Sequence, residues 1–296
     1  MKKILFCLGL FIFLTGGFTA NAQSIIDADD ENNFNNYYNK TLANGKQAMP
    51  YAYLRESDVV WEHAVWRVID FREKFNQFFY FPLHDERIGT EGRVSLTDAV
   101  MKALENGEIS VFKDDEFKIP FTFEEMAASL SQERIIHIAE YDEYTGDELE
   151  GRDSVVHDEF NPQDVYSARI KEYWYIDKQD TRQKVRIVGL ALVYNYCRDR
   201  QDERVCENVD LFWVPMNDMH VRNALVKVYA YDENNSHAQR SYDDIFIDRY
   251  FDSFIYRESN TMNRPIAAYL TGTDAILESQ AIEDKIFDIE SDMWEY

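Results

Sequence analysis

Residues 165–197, "VYSARIKEYWYIDKQDTRQKVRIVGLALVYNYC", contain the pattern that decides the fold. In the first part, apolar side chains alternate with charged ones, as in a strand with one buried face: Ala168, Ile170, Trp174 and Ile176 against Arg169, Lys171 and Asp177. The second part is apolar on both faces over 185–193, which is typical of a central strand. A third run, "VCENVDLFWVP", follows at 205–215. Short polar turns between successive strands predict an antiparallel meander.

Two cysteines, Cys197 and Cys206, stand on either side of the polar stretch "RDRQDERV" that joins the last two strands. In a hairpin they can face each other across the ladder, and disulfides persist in exported proteins. A disulfide and a pair of free thiols are both compatible with this placement. A metal site is disfavoured because the region supplies few further ligands.

The residues before the meander carry helical patterns. Ser57 is a good N-cap for a helix that runs to Asn76, with an apolar stripe at Trp61, Val65, Val68, Ile69, Arg72 and Phe75. Ser95 and Asp98 form a capping-box pattern before a second helix that ends at Gly107. Thr122 and Glu125 open a third. We therefore predict a helical N-terminal half.

Helical patterns return after the meander, at "MNDMHVRNALVKVY" and at "SYDDIFIDRYF", where Ser241 and Asp244 form a cap. The last residues align Ile282, Ile286, Ile289 and Met293 on one face of a final helix, which packs on its own subunit or on a neighbour. The predicted fold class is α+β: a helical N-terminal half packed with an antiparallel β-meander and C-terminal helices.

The first 22 residues have the three parts of an export leader: a basic end, an apolar run over 4–13 and the small-residue site Ala20-Asn21-Ala22. Cys7 lies near the start of the apolar run, whereas a lipid-attachment cysteine lies at its end. We therefore predict a signal peptide over 1–22 and an exported mature chain without a lipid anchor. An irregular arm over 23–55 then precedes a single α+β domain over 56–296, interrupted by an acidic loop at 141–158.

The formal net charge of −24 disfavours contact with phosphate backbones and anionic lipid surfaces. We therefore expect no nucleic-acid partner and no direct membrane insertion. With 45% hydrophobic residues, the chain still has enough apolar side chains to bury a core.

The sequence contains no catalytic motif that we recognise: no nucleophile elbow, no zinc-protease helix and no phosphate loop. Six histidines are scattered along the chain. The acidic stretch "KDDEF" at 113–117 fits a charged turn better than a cation site. We predict no enzyme, no metal and no cofactor.

An unbroken run of rings, Phe78, Phe79, Tyr80 and Phe81, follows the first predicted helix. One strand face cannot bury all four rings, and aromatic side chains are enriched at protein interfaces. We predict that these four residues contact a partner; the alternative is an aromatic core.

Several blocks, in order over roughly residues 58–296, resemble the GldN/PorN family of gliding-motility and type IX secretion proteins. They are "VVWEHAVWRVIDFREKFNQFFYFPL", "GRVSLTDAVMKALENGEISVFKDDEF", "RIKEYWYIDKQDTRQKVRIVGLALV", "LFWVPMNDMHVRNALVKV", "SYDDIFIDRYFDSFIYRESNTMNRPIAAYLTG" and "DAILESQAIEDKIFDIESDMWEY". The cysteine hairpin and the 141–158 stretch depart from the family pattern.

The resemblance implies a non-enzymatic periplasmic subunit at the inner face of the outer membrane. Its expected partners are a GldK/PorK-type outer-membrane lipoprotein, further copies of itself in a ring, and the periplasmic part of a GldM/PorM-type motor protein. An adaptor that binds cargo or cell wall outside any ring is the alternative, ahead of an exported hydrolase. "DSV" at 153–155 resembles the O-glycosylation sequon of Bacteroidetes, with Ser154 as acceptor.

Overall fold

An antiparallel sheet of seven strands, in the order β3-β2-β8-β7-β6-β1-β9, organises the fold. The computed structural model describes residues 46–82, 93–130, 132–141, 148–158, 161–180, 182–197, 206–232, 235 and 239–294. The strands of the sheet are β1 (Val59–Asp70), β2 (Val111–Phe112), β3 (Pro120–Phe121), β6 (Val165–Asp177), β7 (Gln183–Cys197), β8 (Cys206–Pro215) and β9 (Phe254–Glu258). A separate two-stranded sheet pairs β4 (Gln132–Tyr141) with β5 (Glu148–Asp158).

The predicted meander is confirmed. Strands β6, β7 and β8 are adjacent and antiparallel, with Ile170 opposite Leu190 and Leu190 opposite Val214. Strand β7 has three strands on either side of it, which agrees with its apolar residues on both faces.

The predicted helix from Ser57 to Asn76 is wrong, because residues 59–70 form strand β1 between β6 and β9. Apolar side chains are buried on both faces of β1, Val65 and Ile69 on one and Ala64 and Trp66 on the other. Such a strand lacks the polar–apolar alternation that identifies a half-buried strand, so its residues also fit a helical stripe. The N-terminal half is therefore mixed, within a fold that is α+β as predicted.

Six α-helices accompany the strands in the described residues: α1 (Gln77–Tyr80), α2 (Leu96–Glu105), α3 (Phe123–Leu130), α4 (Met219–Val226), α5 (Tyr242–Ile247) and α6 (Thr273–Trp294). The caps predicted at Ser95, Thr122 and Ser241 are confirmed, whereas the N-cap predicted at Ser57 is wrong together with its helix. The hydroxyl oxygen of Ser95 accepts the N–H of Asp98 at 3.1 Å, and Ser241 with Asp244 forms a full capping box. Gly107, at φ +69°, follows the end of α2 in the left-handed conformation that favours glycine.

The main core lies between one face of the sheet and the helices. Ile170, Leu190 and Phe212 from three strands are fully buried there, together with residues of α2, α4 and α5 such as Leu96, Leu225 and Ile245. A second cluster places Ile282 and Ile286 of α6 against Val65, Trp174 and Ile255. The final helix therefore packs on its own subunit.

The prediction of an acidic loop over 141–158 is wrong for residues 148–158, which form β5. This strand pairs with β4 in a register that sets Val155 opposite Ile135 and Ser154 opposite Ile136. The polar and acidic sequence of this strand lacks a clear alternation of apolar and polar residues and so gives little strand signal. Residues 142–147 lie outside the described residues.

The described part of the predicted arm, residues 46–55, has no helix or strand, as expected. It is nevertheless held on the domain: the N–H of Ala48 donates to Asn223 Oδ1 at 2.8 Å, and Arg186 donates to the carbonyl of Ala52 at 3.1 Å. The predicted leader and the start of the arm lie outside the described residues. In the part of the chain that is described, no helix combines the length and apolar character needed to cross a bilayer.

Candidate protein-binding groove

A groove of about 620 Å³ opens between the α1 region and the segment from Ala230 to Tyr250. We call it the aromatic groove. Its lining residues are Lys74, Phe75, Gln77, Phe78, Phe81, Ala230, Tyr231, Asp232, Arg240, Ile245 and Tyr250. The groove brings together residues that lie about 150 positions apart in the sequence, and it includes two of the four rings that the sequence analysis singled out.

The rings of the groove pack on one another and remain open to solvent. Phe75 and Tyr250 lie 4.8 Å apart between ring centroids, and the Arg240 guanidinium lies 3.9 Å above the ring of Tyr250. The exposed fraction is 48% for Phe75, 42% for Phe81 and 42% for Tyr250. Single exposed rings are common on protein surfaces, but a contiguous group is typical of an interaction site.

Asn76 fixes the two walls of the groove relative to each other. It is fully buried, and its amide nitrogen donates to the carbonyls of Asp70 at 3.0 Å and Asp252 at 2.9 Å. Its amide oxygen accepts the N–H of Asp252 at 2.9 Å. The turn that carries Phe75 is thus tied to the loop that carries Tyr250. The sequence analysis missed this role, although Asn76 stands in the first of the blocks that carry the family resemblance.

Tyr242 supports the backbone next to the groove. Its hydroxyl donates to the carbonyl of Val94 at 2.8 Å and lies 3.2 Å from the carbonyl of Phe78. Complete burial raises the pKa of this phenol far above its usual value, because the ionised form has no water around it. The hydroxyl is therefore held neutral, as a donor to Val94 next to the backbone that carries Phe78.

The four predicted interface rings do not share a surface. Phe78, Phe79 and Tyr80 belong to a helical turn, in which successive side chains point in directions about 100° apart, and Phe81 follows the turn with an extended backbone. Phe79 is fully buried and packs on Phe71, with 5.5 Å between ring centroids. It belongs to the core, so its prediction as an interface residue is wrong.

The other three rings have separate positions. Phe78, half-buried, and Phe81, exposed, line the groove. Tyr80 lies outside it: its hydroxyl donates to the carbonyl of Gln163 at 3.0 Å, and its ring stacks on Tyr166. Contact of these rings with a partner stays a prediction.

The groove is locally basic in an acidic chain. Lys74 and Arg240 line it with Asp232 as the acidic member, whereas the whole chain has a formal net charge of −24. An apolar surface with cations at its border favours a partner segment that combines apolar and acidic side chains.

The "KDDEF" stretch connects β2 to β3 and is used as a structural clamp on the opposite face of the sheet. The carboxylate of Asp115 accepts Trp66 Nε1 at 3.0 Å and Arg257 at 2.5 Å, while its carbonyl accepts Lys171 Nζ at 2.8 Å. These cations already neutralise the carboxylate, which favours the charged-turn interpretation. Among the described residues, no group of three or more His, Cys, Asp or Glu is placed to hold a metal ion.

One arrangement resembles the parts of a serine hydrolase. His63 lies between Glu258 Oε2, 3.2 Å from Nε2, and Ser259 Oγ, 3.3 Å from Nδ1. Acyl transfer also requires N–H donors aimed at the substrate oxygen. Here the nearby N–H, that of Ala64, donates to Ser259 Oγ itself at 3.4 Å. The group is therefore best explained as a brace between β1 and the end of β9.

The register of the meander places Cys197 directly opposite Cys206. The predicted hairpin is thus confirmed in its strands, with residues 198–205 outside the described part. A disulfide between the two cysteines stays a prediction, as does glycosylation of Ser154 on β5.

A closed α+β core with an open groove of rings beside it is typical of proteins that bind other proteins. Comparison with known protein families identifies the family to which this chain belongs. The model of the family described as gliding motility associated protein GldN matches residues 54–295. The chain therefore belongs to the GldN family, which is part of the gliding-motility and type IX secretion machinery. This confirms the resemblance drawn from the sequence. No curated protein matches the chain.

Proposed function

We propose that this chain is a non-enzymatic periplasmic subunit of the gliding and type IX secretion machinery and that it works by docking on other proteins. The observation that carries the proposal is the aromatic groove, in which Phe75, Phe81 and Tyr250 form a contiguous exposed surface. Membership of the GldN family supports this proposal, because a component of a protein machine acts through its contacts with other components.

The expected partners are an outer-membrane lipoprotein of the GldK/PorK type, further copies of this chain in a ring, and the periplasmic part of a GldM/PorM-type motor protein. The subunit would then lie at the inner face of the outer membrane, held there by the lipoprotein. The predicted leader over 1–22 and the strong negative charge support this placement.

We further propose that residues 56–296 fold as one domain and that the arm over 23–55 extends from it. Contacts such as Ala48 with Asn223 support a domain that also holds the last residues of the arm. A Cys197–Cys206 disulfide is proposed for the β7–β8 hairpin, because an exported chain lives where such bonds persist.

Co-expression with the lipoprotein tests the proposed function. We expect both proteins to elute together from a size-exclusion column as a large particle, and the chain alone to elute as a smaller species. A stable monomer that never elutes with the lipoprotein contradicts the proposal. A Ser259→Ala variant serves as a control. We expect it to bind the lipoprotein as the wild type does, because the group around His63 lies apart from the groove residues.

A further inference from the structure

Helix α6 carries a second exposed apolar surface. Its inner side is fixed on the domain by buried Ile282 and Ile286 and by Arg67, which donates to Glu283 at 2.8 Å. The outward side follows from this orientation and from the helical period.

Three large apolar residues of α6 are at least half exposed. The exposed fraction is 67% for Ile276, 61% for Leu277 and 51% for Phe287. Ile276 and Phe287 are eleven positions apart, about three helical turns, and therefore point in nearly the same direction, on the flank where the Phe287 ring packs edge-on against Trp174 with 6.0 Å between ring centroids. Leu277 points about 100° away from them, towards solvent. We call Ile276, Leu277 and Phe287 the α6 face.

The charges beside the α6 face complement those of the aromatic groove. Asp284 and Asp288 are exposed on the same outward side. The groove presents Lys74 and Arg240 beside its rings. The groove thus has an excess of cations over its one acid, Asp232, and α6 an excess of exposed acids over the neighbouring Lys285. Opposite net charges of this kind favour partner choice and register.

The two surfaces occupy different parts of one molecule. The α6 helix packs against Val65, Trp174 and Ile255, whereas the groove lies between the α1 region and residues 230–250. Contact between two different patches of identical chains is heterologous, and it produces a ring when the rotation between neighbours closes.

We propose that the aromatic groove of one copy receives the α6 face of a second copy, with Arg240 near Asp284 or Asp288. The inference rests on the proposed function, because it names the surfaces through which the ring subunits contact each other. A groove of about 620 Å³ has the volume of sites that take a few large groups. The side chains of the helix therefore enter it as anchors, as in other complexes where an amphipathic helix meets a groove.

Two one-sided variants of the whole chain test the proposal. The groove variant carries Phe81→Ser and Arg240→Glu, and the helix variant carries Leu277→Ser and Asp284→Lys. All four positions are exposed, so both variants should fold with melting temperatures near the wild-type value. Tyr53→Ser with Arg55→Glu makes the same kind of change at an exposed site outside both surfaces and serves as the matched control.

Sedimentation velocity over a range of concentrations gives the readout. We expect the wild type and the control to form oligomers that grow with concentration, and each variant alone to stay monomeric. An equimolar mixture of the variants should form dimers and nothing larger, because one intact groove and one intact α6 face can meet only once.

Three results overturn the inference: a wild type that is monomeric at its highest soluble concentration, a one-sided variant that still forms wild-type oligomers, or a mixture that stays monomeric. Binding to the lipoprotein is measured on the same samples. If the groove variant keeps self-association and loses the lipoprotein, the groove binds the lipoprotein instead. That outcome rejects this inference and leaves the proposed function standing.

Discussion

Two rings of the same short turn, Phe79 and Phe81, lie two positions apart and have opposite environments. Phe79 is fully buried among the rings of Phe71, Tyr242 and Phe246, while Phe81 is 42% exposed and lines the aromatic groove. Phe79 lies inside the helical turn, whereas Phe81 follows its end with an extended backbone, and the two rings therefore point to different sides. One aromatic run can therefore stabilise the core and present a docking surface, and the two roles are separable by substitution.

The largest expected effect comes from the buried ring. Phe79→Ala should lower the free energy of unfolding by about 3–5 kcal/mol, because it removes a large apolar side chain and leaves a cavity. Phe81→Ala should change it by less than about 1 kcal/mol, since the ring is already half in water. Denaturant unfolding of both variants measures the difference. Equal losses of unfolding free energy in the two variants would contradict the difference in environment between Phe79 and Phe81.

The next effect concerns the residue that joins the two walls of the groove. Asn76→Ala removes three hydrogen bonds to backbone groups in a buried site. It should lower the free energy of unfolding by about 2–4 kcal/mol, because each unsatisfied buried group costs about 1–3 kcal/mol and the site relaxes in part. Asn76→Asp is the matched control: it keeps the acceptor for the N–H of Asp252 and loses the donors. Because it turns a buried acid towards two carbonyls and the Glu73 carboxylate, we expect it to lose at least as much stability as Asn76→Ala in denaturant unfolding at neutral pH. Wild-type stability for Asn76→Ala would show that the walls do not depend on Asn76.

A smaller effect is expected far from both rings, at the β7–β8 hairpin. If Cys197 and Cys206 are bridged, reduction should lower the unfolding free energy by about 2–3 kcal/mol through the freed loop. Intact mass before and after alkylation without reductant checks the bond directly. Two alkylated thiols in the exported protein would show that the pair is free.

The smallest effect is confined to alkaline pH and reports on the opposite face of the sheet. Burial raises the pKa of Tyr256 to about 12, with Arg169 and Arg257 acting in the other direction. The folded state therefore favours the neutral phenol. This contribution is complete below pH 10, the ordinary pKa, and is lost as the pH rises towards 12. Tyr256→Phe should flatten that loss of stability, and an unchanged pH profile between 10 and 12 would contradict the assignment.

Local patterns in the sequence are enough for the parts of this fold that depend on neighbouring residues. The meander follows from strand-length apolar runs with polar turns, and the helix starts follow from pairs such as Ser95 with Asp98 and Ser241 with Asp244. Strand β1 is different, since both of its faces are covered by residues far away in the sequence, such as Ile282 on one face and Phe117 on the other, and its own residues show no alternation.

The aromatic groove is harder still to predict. The sequence shows that rings are dense near residues 75–81, but Tyr250 and Arg240 reach them only through the tertiary fold and the Asn76 bonds. An unbroken run of rings also contains no signal for which member is buried. That distinction between Phe79 and Phe81 depends on the helical turn that the run adopts.

The central claim is that the groove rings serve docking and not stability. The most direct measurement is the size of the particle formed with the GldK/PorK-type lipoprotein by the wild type and by a Phe81→Ser, Tyr250→Ser variant, with melting temperature recorded on the same samples. The account predicts a variant that melts like the wild type and no longer builds the large particle. Particles of unchanged size from a variant with both rings removed would contradict it.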